Sequence, residues 1–297
     1  MAVVYVVLAL ALVPLVWKKM RRTPSVRGRG VVIVGASSGI GRSLALEYAR
    51  RGANLLLCAR RNDQLRAVAA ECRALSSSQV AVVAGDITER DTQLALRDTA
   101  QTSLSTVDYL VLNAGVISVR PVYDIWLADA GRTTADTMDQ AMQRVMAVNI
   151  NAPALISGLF LPLLAASRGC VVVVGSVAAL VAAPTRSLYS ASKHAVEGYF
   201  AAFRMEVKHL GISVTMVHPG TVDTDLRKSA VDAPMGGVCA GSTRGKMSAQ
   251  TCAREIVRAA ALRQRLLVTP WPYWIAVVLH WVAPALVDRM AMKKYGL

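Results

Sequence analysis

Residues 31–52 read VVIVGASSGIGRSLALEYARRG: an unbroken apolar run, a glycine-rich turn and then a helical pattern. Gly35, Gly39 and Gly41 stand in the order G-x-x-x-G-x-G. A strand apolar at every position is buried on both faces, as strands of a parallel sheet are. Glycines at its end permit a tight turn and let backbone amides approach an anion. The helix beyond adds unpaired N–H groups and the positive end of its dipole. Alone such a turn is weak evidence; its meaning depends on whether the rest of the chain alternates strand and helix.

It does. Similar Val- and Leu-rich runs lie at 53–59, 80–84, 109–113, 171–175, 212–217 and 266–269. Helical patterns fall between them, at about 40–51, 62–75, 90–104, 135–166, 188–210 and 249–264. Strands separated by helices of this length imply right-handed βαβ units, hence an α/β fold: a doubly wound parallel sheet of seven strands with helices on both faces. Such sheets bind ligands at the carboxyl ends of their strands. In that setting Gly35, Ser37, Ser38, Gly39, Ile40 and Gly41 become a dinucleotide phosphate turn.

The next strand ends LLLCARR. An NAD-specific site usually carries Asp or Glu there, against the ribose 2′-hydroxyl. This chain has Ala59, then Arg60 and Arg61, and Arg42 follows the glycine turn. Guanidinium groups suit a 2′-phosphate, and a carboxylate would repel one. The expected cofactor is NADP(H), with NAD(H) less favoured. Asp86 and Ile87 end the third strand in AGDIT, where Asp86 either accepts from an adenine amino group or caps the next helix. Asn113, Ala114 and Gly115 end the fourth in VLNAG.

The fifth strand, CVVVVGS, delivers Ser176 to the same edge. Tyr189 follows thirteen residues later in SLYSASKHA, and Lys193 one helical turn after it. The i, i+4 spacing puts tyrosine and lysine on one helix face. A phenol near pKa 10 is a poor acid at neutral pH, and a nearby ammonium should lower that value. Ser176 could hydrogen-bond a carbonyl and stabilise developing charge. Beside a nicotinamide, this set suits ketone reduction, Tyr189 giving the proton.

Taken together, GASSGIG, LNAG, YSASK and HPGTVDT resemble the motif set of the short-chain dehydrogenase/reductase family, over about residues 30 to 270. The apolar N-terminus and AAPTRSLYSASKHAVEGYF are most similar to membrane-anchored members of the 11β-hydroxysteroid dehydrogenase type. The resemblance implies a Rossmann-type fold and a catalytic tetrad. Asn149, in AVNINAP, would help hold a proton-relay water, Ser176 would orient substrate, and Tyr189 would be the general acid/base. Lys193 would lower the tyrosine pKa and bind the nicotinamide ribose. Pro219, Gly220, Val222 and Thr224 would hold the nicotinamide carboxamide. The family also implies a possible homodimer through the tyrosine helix and the long helix before it. Val34, Leu112 and Gly175 depart from the residues usual at their positions. The segment 117–135 is more aromatic than the family suggests, and Tyr123 and Trp126 are candidates for a substrate or membrane entrance or for ordinary packing.

The ends carry a second message. The chain has 297 residues, is 54% hydrophobic and bears a formal net charge of +15. Residues 1–17, MAVVYVVLALALVPLVW, hold no charge and would span about 25 Å as a helix. Lys18, Lys19, Arg21, Arg22, Arg27 and Arg29 follow in the linker 18–29. A cleaved signal peptide would need a basic n-region and a small-residue cleavage site, so an uncleaved anchor is the favoured reading. The positive-inside rule then turns the body toward the cytosol, and the short span suits a thin bilayer such as the endoplasmic reticulum. Residues 271–287, WPYWIAVVLHWVAPALV, read as a helix in the membrane surface or a lid over a greasy entrance, with a second span also open. Charge beside apolar ends points to a membrane partner, and no basic stripe with interleaved aromatics suggests nucleic acid.

The domain reading is therefore an anchor at 1–17, a linker at 18–29, a dehydrogenase body at 30–270 and an apolar segment at 271–297. Five scattered cysteines make no metal or disulfide pattern. The stretch 226–248 reads as a mobile loop. The expected activity is NADP(H)-dependent interconversion of a ketone and a secondary alcohol on a lipophilic substrate. Steroids, retinoids, 3-keto sphingoid bases and acyl-dihydroxyacetone phosphate all fit. The rival is a non-catalytic NADP-binding membrane scaffold, which has no physical need for Ser176, Tyr189 and Lys193 together.

Overall fold

The computed structural model of the chain describes residues 22–124, 132–226, 230–232 and 246–295. The strands are β1 (Gly30–Val34), β2 (Asn54–Ala59), β3 (Val80–Ala84), β4 (Tyr109–Leu112), β5 (Cys170–Val174) and β6 (Ser213–Pro219), the short β7 (Val222–Asp223) and β8 (Met247–Ser248), and β9 (Leu266–Thr269). Seven form one sheet in the order β3-β2-β1-β4-β5-β6-β9, parallel throughout. This is the doubly wound sheet the apolar runs imply. The chain winds outward from β1 to β3, returns to β4 and winds the other way, leaving a crevice at that switch point.

The period of two along each strand divides the core. Val31 and Ile33 of β1 face one apolar cluster with Leu44 and Tyr48 of α1 (Gly39–Arg50), Leu65 of α2 (Asn62–Leu75) and Ile256. Val32 and Val34 face the other, with Leu96 of α3 (Arg90–Ser103), Ile156 and Phe200. Cys58 and Cys170 occupy buried strand positions, where burial pushes the Cys58 thiol up to about 12. They are packing residues.

The single helix expected at 135–166 is instead broken. It runs as α4 (Arg132–Met146), a π turn at Ala147–Asn151, α5 (Ala152–Leu159) and α6 (Leu161–Ser167). Pro162 starts a new helix because its ring cannot follow a preceding helical turn without losing a hydrogen bond. The tyrosine helix α7 (Ser187–Glu206) ends in a 3₁₀ turn closed by Gly211 at φ 76°. After α8 (Ala249–Ala261) and β9, the apolar C-terminal segment folds as two helices, α9 (Pro272–Val282) and α10 (Pro284–Tyr295). Pro284 interrupts it, so residues 271–287 make no single span. Among the described residues no helix is long and apolar enough to cross a membrane. The anchor reading of 1–17, the first part of the linker, and Trp126 lie outside the described residues.

Val277 of α9 and Val287 of α10 pack with Val177 and Val181, just beyond β5. Both helices thereby come to stand over the carboxyl edge of the sheet. Within 226–248 the described residues are held to the body by Val231, whose amide donates to the Ile117 carbonyl at 2.9 Å, by Asp232, and by the pairing of β8 with β7. Asp232 accepts from the Ser118 hydroxyl at 2.7 Å and the Val119 amide at 2.8 Å.

Candidate active site

A cleft of about 990 Å³ opens along the carboxyl edge of the sheet. Its size falls in the range of sites for cofactors and drug-sized ligands. One end is walled by the glycine turn. Gly35 and Gly39 have φ of 85° and 56°, conformations that favour glycine. A Cβ on Gly35 would lie 2.7 Å from the Ala114 backbone, and one on Gly41 would overlap the Gly35 carbonyl. Thr224 touches Gly39 from the far side of the cleft. Gly35 and Gly41 thus have no room for side chains, which fits a cradle for a pyrophosphate.

Ser37, Ser38 and Ile40 of the turn line the same wall, while Gly41 lies beneath it. Arg61 donates to Ser38 Oγ at 2.8 Å and Ser37 Oγ at 3.1 Å, so its guanidinium closes the end of the turn. Arg60 lies beside Asp86 at 3.8 Å, and Arg144 approaches the same carboxylate at 3.2 Å. Burial pushes Asp86 up, but hydrogen bonds from Thr88 and the charges of Arg144 and Arg60 outweigh it and hold the carboxyl below its usual value. Arg42 corrects the sequence expectation: it pairs with Glu71 at 2.5 Å and is not on the cleft wall.

Asn113 reaches back to the Gly35 carbonyl at 3.0 Å and so ties β4 to the glycine turn. Ile87, Ala114 and Gly115 continue the wall, as do Pro219, Gly220, Val222 and Thr224 opposite. Gly220 lies flat under the Tyr273 ring, where a Cβ would overlap it. The Tyr273 hydroxyl meets Thr221 Oγ1 at 3.2 Å and Lys294 Nζ at 3.3 Å. Burial raises its pKa, but these partners outweigh burial and leave the phenol below its ordinary value. Tyr273 was not singled out in the sequence, because nothing local marks an apolar segment as a cleft wall. Tyr123 is half exposed and does not line the cleft.

Ser176, Tyr189 and Lys193 meet midway along the cleft. Ser176 caps the 3₁₀ turn after β5, accepting from the Ala178 amide at 3.1 Å. Its hydroxyl faces Tyr189 across the cleft and works to lower the phenol's pKa. Lys193 is buried and donates to the Val174 carbonyl at 3.1 Å, with Nζ 5.7 Å from the Tyr189 ring centre. The electrostatics differ from expectation. Burial pushes the Tyr189 phenol above its ordinary value and Tyr295 adds to this, against smaller opposing effects of Ser176 and Arg186. Burial also lowers the Lys193 ammonium to about 8. The reason is geometric: the ammonium is committed to the strand end, and both groups are removed from water.

Asn149 sits in the π turn, a geometry that recurs at functional sites. Its Nδ2 donates to the Val116 carbonyl and Ser192 Oγ, both at 2.9 Å, and its Oδ1 accepts from the Val116 amide at 2.9 Å. Both amide hydrogens are spent on bracing the loop after β4 against α7. Beyond Ser176 and Tyr189 one part of the cleft is apolar, walled by Val181, Ile275, Leu279, Val287 and Met290, with buried Arg186 and part-buried Tyr295 beside it.

Residues 29–234 match the family model for short chain dehydrogenase. The chain is 33% identical over 273 residues to 11-beta-hydroxysteroid dehydrogenase A of Sesamum indicum, covering 86% of this chain and 75% of that one. It is 31% identical over 279 residues to hydroxysteroid 11-beta-dehydrogenase 1-like protein B of Xenopus laevis, covering 92% and 89%. Among solved structures, a short chain dehydrogenase/reductase of Burkholderia phymatum in complex with NAD superposes with a TM-score of 0.74 at 24% identity, covering 89% of this chain and 96% of that one. An alcohol dehydrogenase of Thermococcus sibiricus complexed with 5-hydroxy-NADP gives 0.67 at 22% identity, covering 81% and 94%. At these identities the two structures speak to the fold alone.

Proposed function

This chain belongs to the short-chain dehydrogenase family, and from that premise we propose that it is an NADP(H)-dependent reductase of lipophilic ketones, with Tyr189 as general acid. The observation that carries the reading is the meeting of Ser176, Tyr189 and Lys193 in the cleft that the glycine turn and Arg61 close at its other end. The glycine turn would hold the pyrophosphate, Arg60 and Arg61 the 2′-phosphate, Asp86 and Ile87 the adenine, and Asn113, Ala114 and Gly115 the backbone beyond it. Lys193 would hold the nicotinamide ribose, and Pro219, Gly220, Val222 and Thr224 the carboxamide. Ala59, which leaves no acid at the end of β2, supports NADP(H) over NAD(H). When bound, the nicotinamide supplies the hydride that the carbonyl carbon accepts.

The chain's own residues do the rest. Ser176 hydrogen-bonds the carbonyl oxygen and stabilises its growing charge. Tyr189 gives its proton to that oxygen. A phenol held above its ordinary pKa stays protonated at neutral pH, the form that reduction requires. Lys193 sits close enough to favour the phenolate left behind. Asn149 keeps the loop after β4 and the tyrosine helix in register. The apolar substrate end excludes water and selects a greasy substrate.

The same apolar character extends to the outer face of the C-terminal helices. Trp271, Trp281, Val282 and Leu286 are exposed there, and Lys293 is exposed nearby. A soluble surface rarely carries such a cluster, and it suits seating in an anionic bilayer beside the cleft mouth. Together with the apolar N-terminus this supports a membrane-anchored enzyme of the endoplasmic reticulum with its body in the cytosol. The test is NADPH oxidation against steroid, retinoid and long-chain ketones, in detergent and in vesicles. Turnover of a lipophilic ketone supports the reading; tight NADPH binding with no turnover on any ketone favours a scaffold.

A further inference from the structure

We propose that buried His218, paired with the part-exposed Glu197, positions Ser176 for the reaction; the inference rests on the reductase reading of the cleft. His218 is the penultimate residue of β6, just before Pro219, and its side chain is wholly buried. It does not itself line the cleft. Its Nδ1 lies 2.9 Å from the Ser176 carbonyl oxygen. A carbonyl can only accept, so Nδ1 carries a hydrogen. Its Nε2 lies 2.8 Å from Glu197 Oε2, on α7 one turn beyond Lys193.

The two atoms meet at ion-pair distance without the linear geometry of a hydrogen bond, and among the described residues nothing else bonds either one. His218 thus clamps the backbone of Ser176 to the helix that carries Tyr189 and Lys193. The side chain of Ser176 is held from the other direction by the Ala178 amide.

The clamp also gives a reason for Gly175. A Cβ at that position would lie 3.0 Å from His218 Nδ1, so a side chain before Ser176 would press on the imidazole. On the side away from the cleft, a cavity of about 240 Å³ lined by Glu197, Arg204 and Arg265 adjoins the pair. Glu197 is 30% exposed, so changes there are tolerated better than changes at His218. His218 and Glu197 are positioning residues: they act through Ser176 and touch no reacting atom.

Three variants separate the clamp from simple packing. His218→Asn keeps a donor near Nδ1, His218→Gln reaches toward Glu197 but not toward Ser176, and His218→Leu keeps bulk alone. NADPH affinity should hold in all three. Misplacing Ser176 by a fraction of an ångström should lower kcat about 10- to 100-fold in His218→Gln and His218→Leu. His218→Asn should recover most of that loss. Wild-type kcat in His218→Leu, an equal loss in all three, or a loss confined to NADPH affinity would overturn the proposal. If the wild type itself reduces no ketone, the reductase reading has failed, and the clamp is judged separately by ring ¹⁵N NMR. The chain has four histidines, and the signal that moves in Glu197→Gln identifies His218. That measurement also serves if the His218 variants do not fold. A protonated Nδ1 supports the clamp, and an unprotonated Nδ1 overturns it.

Discussion

Replacing both Arg60 and Arg61 with alanine should separate NADPH from NADH. Arg61 is already oriented at the glycine turn by Ser37 and Ser38, and Arg60 lines the same wall. A hydrogen bond to a charged group contributes about 1.5–3 kcal/mol. Both arginines are exposed, so the lower end applies, and two such contacts give about 3 kcal/mol. At about 1.4 kcal/mol per tenfold, that is roughly a 100-fold rise in the Kd for NADPH. NADH has a hydroxyl where NADPH has the phosphate, so its Kd should change little. Salt should erode the NADPH preference of the wild type, because exposed charges are screened over about 8–10 Å. Isothermal titration with both nucleotides at two ionic strengths reads all of this. Equal loss for the two nucleotides, or no loss for NADPH, would refute the assignment of these arginines to the 2′-phosphate.

Lys193→Met should abolish turnover yet change the pH dependence of stability in a definite direction. Lys193 titrates near 8 in the fold against about 10.5 in the unfolded chain. Between those values the unfolded chain binds more protons, so raising the pH favours the fold by up to about 3 kcal/mol. The rise in wild-type Tm over that window should be smaller in Lys193→Met; identical profiles would contradict it. Gly35→Ala forces a Cβ against the Ala114 backbone at φ 85°, and should cost about 1–3 kcal/mol of stability and most NADPH affinity, as denaturant melts and titration would show. Asp232→Ala removes the acceptor for Ser118 and Val119, and should speed proteolysis after β6 while leaving the global Tm nearly unchanged.

The sheet was readable in the sequence because each strand is buried on both faces, so Val and Leu fill consecutive positions. The cleft followed, since a parallel sheet brings all its carboxyl ends to one edge. Ser37, Arg61 and Ser176 could be placed from that rule alone. What was not readable depends on distant packing. The break at Pro162 lies within an apolar run that stays periodic across it. Asp232 sits in a segment without periodicity, and its partners Ser118 and Val119 are 114 and 113 residues away. Arg42 follows the glycine turn in sequence, but helix geometry turns it to Glu71. The expectation that Lys193 lowers the Tyr189 pKa is not met, for a related reason. The i, i+4 spacing gives proximity on a helix face, but not the burial of both groups or the carbonyl that holds the lysine. His218 stood in view in HPGTVDT, yet only the structure shows that it faces Ser176.

The most direct test of the account is the Tyr189→Phe variant, assayed for NADPH oxidation with a lipophilic ketone that the wild type reduces. The change removes one hydroxyl from a buried ring and leaves the glycine turn and Arg61 intact. NADPH should still bind, and kcat should fall at least about 100-fold, the contribution of a positioned general acid. Turnover equal to that of the wild type would show that Tyr189 does not supply the proton.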